Sequence, residues 1–147
     1  MSNRVAIIGA TGLVGQAILR ILEQRSFPVE ELIPLASERS AGKSIRFNDQ
    51  DYEVMVVDDF NFENIDFSFF SAGSSVSRIF APKAANAGSV VIDNTSEFRY
   101  DDQIPLVVPE VNAHALENFR KNNIIANPNC STIQMLVALN PIHKAAK

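Results

Sequence analysis

Residues 5–15 read VAIIGATGLVG. The first four, Val5 to Ile8, form an unbroken apolar run that predicts a short strand buried on both faces. Behind them, Leu13–Gln24 carries apolar residues at 14, 17, 18, 21 and 22, the stripe of an amphipathic helix. Between strand and helix stand Gly9, Gly12 and Gly15, spaced G-x-x-G-x-x-G. This spacing is a relative of the G-x-G-x-x-G loop of dinucleotide-binding βαβ units. Gly9 suits the tight turn, Gly12 a close approach of backbone to a pyrophosphate, and Gly15 the packing of helix on strand. The helix N-terminus offers the phosphates unpaired N–H groups and partial positive charge. Three glycines also fit a strand–helix turn that holds no ligand; the strand before and the helix after favour the phosphate reading.

Outward from this loop, short apolar runs alternate with helical patterns. Leu32–Ala36, Tyr52–Val57, Asp66–Ser71, Val90–Asp93, Pro105–Val108 and Ile124–Ala126 read as strands. Pro34 places the second strand at an edge or a bulge. Val76–Ala87, interrupted by Pro82, Ala113–Lys121 and Ser131–Leu139 read as helices. The alternation predicts an α/β fold of Rossmann-like type, a doubly wound, mostly parallel sheet with helices on both faces. Ligands of such sheets gather at the carboxyl ends of the strands. Five polar segments follow strands there: Gly9–Gly15, Ser37–Ser40, Ser71–Ser75, Asn94–Arg99 and Asn127–Cys130.

The end of the second strand bears on the nucleotide. An NAD site usually places an acid about 20 residues on, and an NADP site an arginine near the extra phosphate. Here LASERSAGK, residues 35–43, ends its apolar run without an acid and then supplies Arg39 and Ser40. NADP is favoured; Glu38 could accept from a ribose hydroxyl, but the solvent-directed reading is preferred.

Composition narrows the class. The chain has 147 residues, 46% of them hydrophobic, which suits one domain with a buried core. Its net charge of −4, with Lys and Arg scattered, argues against a nucleic-acid or anionic-membrane surface. No apolar run approaches a membrane span, and the N-terminus shows no signal-peptide pattern. One cysteine and two histidines exclude an internal disulfide framework and disfavour a structural metal site. A reducing cytoplasm is the expected setting.

That single cysteine lies in NPNCST, residues 127–132, at the mouth of the last helix. With the helix opening at Ser131 or Thr132, Cys130 sits at or beside the N-cap. The helix field there favours thiolate, the nucleophilic form, and nearby N–H groups can hold an oxyanion. The competing reading is a small buried hydrophobe. A dinucleotide site and a strand-end thiolate together imply aldehyde chemistry through a thioester. If phosphate is the acyl acceptor, Arg99 in DNTSEFR is the candidate cation, unless it pairs with Asp101 or Asp102.

These motifs carry a resemblance. The chain resembles the N-terminal half of the aspartate-β-semialdehyde dehydrogenases from Arg4 to its last residue, through VAIIGATGLVG, LASERSAGK, SAGSSVS, VIDNTSEFR, PLVVPEVN and NPNCSTIQM. The resemblance implies reduction of β-aspartyl phosphate to L-aspartate semialdehyde with NADPH, on the route to lysine, threonine and methionine. It makes Cys130 the acylated nucleophile, Asn129 a residue of the same pocket, and Arg99 the phosphate- and substrate-binding arginine. It makes Thr11, Gly12, Leu13 and Val14 the pyrophosphate loop, Arg39 and Ser40 the 2′-phosphate contacts, and Ser71 to Gly73 the strand end beside the cofactor. It also implies a C-terminal substrate and dimerisation domain outside residues 1–147, a homodimer of the longer protein, and a general base not in this chain. His114 and His143 match nothing catalytic and read as surface residues.

Three alternatives stand beside it. An N-acetyl-glutamyl-phosphate reductase-like enzyme shares the architecture, but typically has glycine where Asn129 stands. A truncated NADP-binding module without turnover fits the sequence as far as it goes. A redox-sensing domain with Cys130 as its switch leaves Arg99 and the NADP loop unused. Short-chain and epimerase-type enzymes need a Tyr-x-x-x-Lys pair, and neither Tyr52 nor Tyr100 is followed by lysine at that spacing.

Overall fold

The structure, a computed structural model, describes residues 2–146. Its elements in chain order are β1 Asn3–Ile8, α1 Leu13–Gln24, β2 Val29–Ala36, β3 Ser44–Phe47, β4 Gln50–Glu53 and β5 Met55–Val56. There follow β6 Phe67–Phe70, α2 Ser74–Asn86, β7 Val90–Asp93, α3 Pro109–Asn112, β8 Ile124–Ala126 and α4 Cys130–Ala145. The main sheet has six strands in the order β5-β2-β1-β6-β7-β8. Each pairing in it is parallel.

The apolar run of β1 is explained by its central place. Val5, Ala6, Ile7 and Ile8 are all 0% exposed. Side chains alternate across a strand, so these four feed two cores. Ala6 and Ile8 join Leu35, Phe70 and Val91 beneath Phe80, Ala81 and Ala84 of α2. Val5 and Ile7 join Leu19 and Leu22 of α1 on the opposite face. Helices therefore cover both faces, as a doubly wound sheet requires. The small side chains of Ala81 and Ala84 let α2 lie close to the sheet, and the helix continues through Pro82.

Several sequence expectations need correction. β2 is not an edge strand, since β1 and β5 flank it. Pro34 is nevertheless accommodated by local edge geometry. The Leu35 carbonyl accepts from Gly9 on the β1 side, whereas the Ala36 carbonyl accepts from Val57 on the other. Pro34, two residues before Ala36, turns its missing N–H to that outer side, and β5 pairs only with Leu35 and Ala36. No ladder bond is lost.

The single strand expected over Tyr52–Val57 is two. β4 pairs antiparallel with the unforeseen β3, and β5 joins the main sheet. The β3–β4 turn places Asn48 at φ 47° and Asp49 at φ 62°. Positive φ at both central residues is the type I′ geometry that matches hairpin twist. The ribbon packs Phe47 and Tyr52 edge to face and buries Ile45 and Phe47 beside α1. Pro105–Val108 is not a strand. It makes one parallel bridge, Leu106 to Ala126, because Pro105 and Pro109 limit the run. Ala113–Lys121 is a 3₁₀ run after the short α3. The last helix starts at Cys130 and continues through Pro141 to Ala145, beyond the expected Leu139.

Candidate active site

The strand order reverses between β1 and β6, so a crevice opens at their carboxyl ends. The glycines show why the loop there has its sequence. Gly9 has φ +91°, and a Cβ on it would lie 2.9 Å from Ala72 N and Ser71 Oγ. A Cβ on Gly15 would lie 2.4 Å from the Gly9 carbonyl oxygen, so α1 starts against the strand end only with glycine there. Gly12 is the N-cap of α1 and offers no capping side chain. Among the described residues, the N–H groups of Leu13, Val14 and Gly15 have no hydrogen-bond acceptor. Leu13 is 92% exposed, so this first turn is open to an anion.

The second loop closes against the first. After β2, Glu38–Ser40 makes a 3₁₀ turn, and Thr11 Oγ1 lies 3.5 Å from Ser40 Oγ. A cleft of about 310 Å³ results, lined by Gly9, Thr11, Gly12, Arg39, Ser40 and Ser71 among others. None of the ion pairs among the described residues engages Arg39. A second hollow of about 300 Å³ shares Ser71 and adds Val14, Gly73, Ser74, Asn94 and Thr95. Leu13 lines neither hollow; its N–H lies in the open first turn of α1. Gly73, at φ +103°, is the N-cap of α2, so that helix too begins at the crevice. Sequence reasoning missed Asp58, Val76 and Phe80, which also line the first cleft. Asp58 was reachable by the same strand-end rule, since it follows β5. Val76 and Phe80 lie on a helix face that carries no chemical signature.

Beyond β6 lies the second half of the site. β7 ends in Asp93, which is 0% exposed. Its carboxylate accepts from Ser77 Oγ at 2.8 Å, Thr95 Oγ1 at 2.8 Å and Thr95 N at 3.1 Å. These donors offset the cost of burying the charge. The following loop is tied to α2 by Arg78, whose Nε and Nη2 meet the two Glu97 oxygens at 2.6 and 3.0 Å. The hydrogen-bonded guanidinium holds the Glu97 carboxyl below the usual carboxylate range.

Arg99 does not pair with Asp101 or Asp102; no ion pair among the described residues includes it. Its Nε donates to the Asn127 carbonyl at 3.0 Å and its Nη2 to the Asn94 carbonyl at 2.9 Å. Among the described residues the remaining guanidinium donors have no hydrogen-bond partner. Asn127 leads through buried Pro128 to Asn129, the N-cap of α4, whose Oδ1 accepts from Ser131 N at 2.9 Å. Cys130 is thus the first helical residue, one place earlier than expected, and its side chain is exposed rather than buried. Asn129 is exposed as well and caps α4; like Arg99 and Cys130, it lines neither of the two hollows. His114 and His143 are exposed. Among the described residues no cluster of metal-ligating side chains forms, and no helix is long and apolar enough to cross a membrane.

Known proteins share this arrangement. Residues 4–119 match the family described as Semialdehyde dehydrogenase, NAD binding domain. Aspartate-semialdehyde dehydrogenase 2 of Vibrio cholerae is 60% identical over 141 residues, which are 96% of this chain and 42% of that protein. The crystal structure of aspartate semialdehyde dehydrogenase II complexed with ASA, also from Vibrio cholerae, superposes with TM-score 0.95 at 59% identity. That match covers 99% of this chain and 47% of the other. Aspartate semialdehyde dehydrogenase with NADP from Candida albicans has TM-score 0.81 at 27% identity, over 99% of this chain and 48% of the other. The chain therefore spans less than half the length of these relatives. With most of its length matched by the family and its fold superposing on such enzymes, the chain belongs to the semialdehyde dehydrogenase family and contains its NAD-binding domain.

Proposed function

We propose that this chain is the cofactor-binding, nucleophile-bearing part of an NADP-dependent aspartate-semialdehyde dehydrogenase. The observation that carries the reading is one row of strand ends. It presents the open α1 N-terminus and Arg39 on one side of the crevice, and Arg99 and the exposed Cys130 on the other. NADP rather than NAD is supported by Arg39 and Ser40 at the rim of the first cleft. The NADP in the related Candida albicans structure supports it too.

In this reading the first turn of α1 binds the pyrophosphate, and the Arg39 guanidinium and Ser40 hydroxyl meet the 2′-phosphate. Arg99 holds the acyl phosphate of β-aspartyl phosphate. The Cys130 thiolate attacks the acyl carbon, the C–O bond to phosphate breaks, and a thioester remains on Sγ as phosphate leaves. The N–H groups of Cys130 and Thr132, which the Asn129 cap does not engage, stabilise the oxyanion of that attack. Bound NADPH supplies the hydride that releases the acyl group as aldehyde and returns the thiolate. A C-terminal domain, as in the longer relatives, provides the general base, further substrate contacts and a homodimer interface. The longer enzyme then serves lysine, threonine and methionine biosynthesis in the cytoplasm.

The test joins this chain to the remaining length of the Vibrio cholerae relative. With aspartate semialdehyde, phosphate and NADP, the joined protein is expected to turn over and its Cys130→Ser form is not. The 147-residue chain alone is expected to show no steady turnover. A joined protein that folds and binds NADPH but never turns over would leave only the binding-module reading.

A further inference from the structure

The reading above places an anion-binding arginine and a nucleophile on different strand ends, so something must hold one relative to the other. The β7–β8 ladder cannot do so, because its last register pair is Asp93 with Ala126. Asn94 and Asn127 are the first residues beyond it. There the two loops are joined through Asn127. Its N–H donates to the Asp93 carbonyl at 2.8 Å, its carbonyl accepts from Arg99 Nε at 3.0 Å, and its Nδ2 donates to Asn94 Oδ1. The Asn94 carbonyl takes the other Arg99 bond, at 2.9 Å. The guanidinium thus rests on two backbone carbonyls, one from each loop, and the amide pair links the residues that own them.

We propose that Asn127, through its side-chain bond to Asn94, is a positioning residue that fixes the Arg99 guanidinium relative to the Cys130 thiol. This rests on the reading of Arg99 as an anion site beside the nucleophile. Asn127 carries no charge and no reactive atom. Its effect is to keep the two carbonyls under Arg99 at one separation, so that the free donors of the guanidinium face one place. Without the amide pair, the loops past the ladder are joined there only by the Asp93–Asn127 backbone bond and by Arg99 itself. Asp93 stays pinned by Ser77 and Thr95, and the 94–99 loop stays tied through the Asn94 N–H to the Phe70 carbonyl and through Glu97 to Arg78, so the freedom gained falls on the 127–129 segment and on the Arg99 guanidinium that rests on it.

The chain has one thiol, which makes the test direct. Iodoacetate and iodoacetamide alkylate the same thiolate by the same displacement, but only iodoacetate is an anion. The ratio of their rates cancels the thiolate fraction and the accessibility of Cys130. It reports positive charge held beside the sulfur. Relative to a free cysteine peptide, the ratio is expected to rise several-fold in the wild-type chain and to fall when inorganic phosphate competes. Arg99→Ala is expected to return it to the peptide value. Asn127→Ala and Asn94→Ala are each expected to lower it most of the way, and the double variant no further, because both remove one bond. Far-ultraviolet circular dichroism confirms that each variant is folded; if one is not, the other carries the test. A ratio preserved in folded Asn127→Ala or Asn94→Ala, while Arg99→Ala loses it, overturns the positioning role and leaves Arg99 as the anion site. A ratio unchanged by Arg99→Ala overturns both. Equal changes in the two rates leave the ratio constant and mark the amide pair as merely structural, which also overturns the proposal.

Discussion

At the residue scale, two positions separate backbone necessity from ligand chemistry. Gly15 is required by space: its added Cβ would lie 2.4 Å from the Gly9 oxygen, and backbone cannot yield as a flexible side chain can. Gly15→Ala gains about 1 kcal/mol of helix propensity, but forced overpacking costs about 1–3 kcal/mol or more. Net destabilisation in urea unfolding is expected, together with weaker cofactor binding; an unchanged or raised midpoint would contradict the geometry. Among the described residues the Arg39 side chain makes no hydrogen bond or ion pair, and Arg39→Ala is expected to leave the unfolding midpoint unchanged. In the proposed reading its loss removes a charge-assisted contact worth about 1.5–3 kcal/mol, roughly tenfold or more in NADPH affinity, with little effect on NADH. Parallel titrations of both cofactors read this out, and an unchanged NADPH/NADH ratio would take Arg39 out of the site. The steric need at Gly15 and the placing of Arg39 at the cleft were legible in the sequence, because each lies within a few residues of a strand end. Asn127 was legible only as a neighbour of Cys130. Its partners, Asp93, Asn94 and Arg99, lie roughly thirty residues away in sequence and meet it only through the fold.

At the element scale, α4 stands apart. None of its sixteen residues is buried, and Met135, Leu139 and Ile142 are 52%, 50% and 63% exposed. Their i, i+4, i+7 spacing sets them in one stripe. Such a stripe seeks cover, which in the proposed reading the C-terminal domain supplies. The chain by itself is expected to self-associate with rising concentration, and Leu139→Lys to shift sedimentation toward monomer with NADPH affinity unchanged. A wild-type chain that stays monomeric at high concentration would count against an interface role. The elements also show where sequence patterns mislead. Val5–Ile8 and Leu13–Gln24 were read with the correct extent or nearly so, because burial on both faces and a helical stripe are written in the residues themselves. Tyr52–Val57 failed because a hairpin strand and a sheet strand adjoin with only Val54 between them, and the Asn48–Asp49 turn that separates β3 from β4 contains no glycine. Pro105–Val108 has strand composition, but proline at its start and just past its end leaves room for a single bridge.

At the scale of the whole molecule, topology joins the parts. β1 carries the glycine loop, β2 ends beside Arg39, β6 leads to Gly73, β7 to Arg99 and β8 to Cys130. A parallel sheet delivers all five ends to one edge, and four of the polar segments, all but Asn127–Cys130, line the two adjoining hollows there. The strand-end rule made the shared edge of these segments readable from the sequence. The depth of the crevice was not readable, since Val76 and Phe80 reach it from a helix whose register only packing determines. The claim on which the functional reading stands is that this crevice holds a dinucleotide with its 2′-phosphate at Arg39 and Ser40. Calorimetric titration of the 147-residue chain with NADPH and with NADH tests it most directly. NADPH is expected to bind one to one and at least about tenfold more tightly than NADH, the free-energy equivalent of one charge-assisted contact. Equal affinity for the two cofactors, or no binding of either at millimolar concentration, would contradict it.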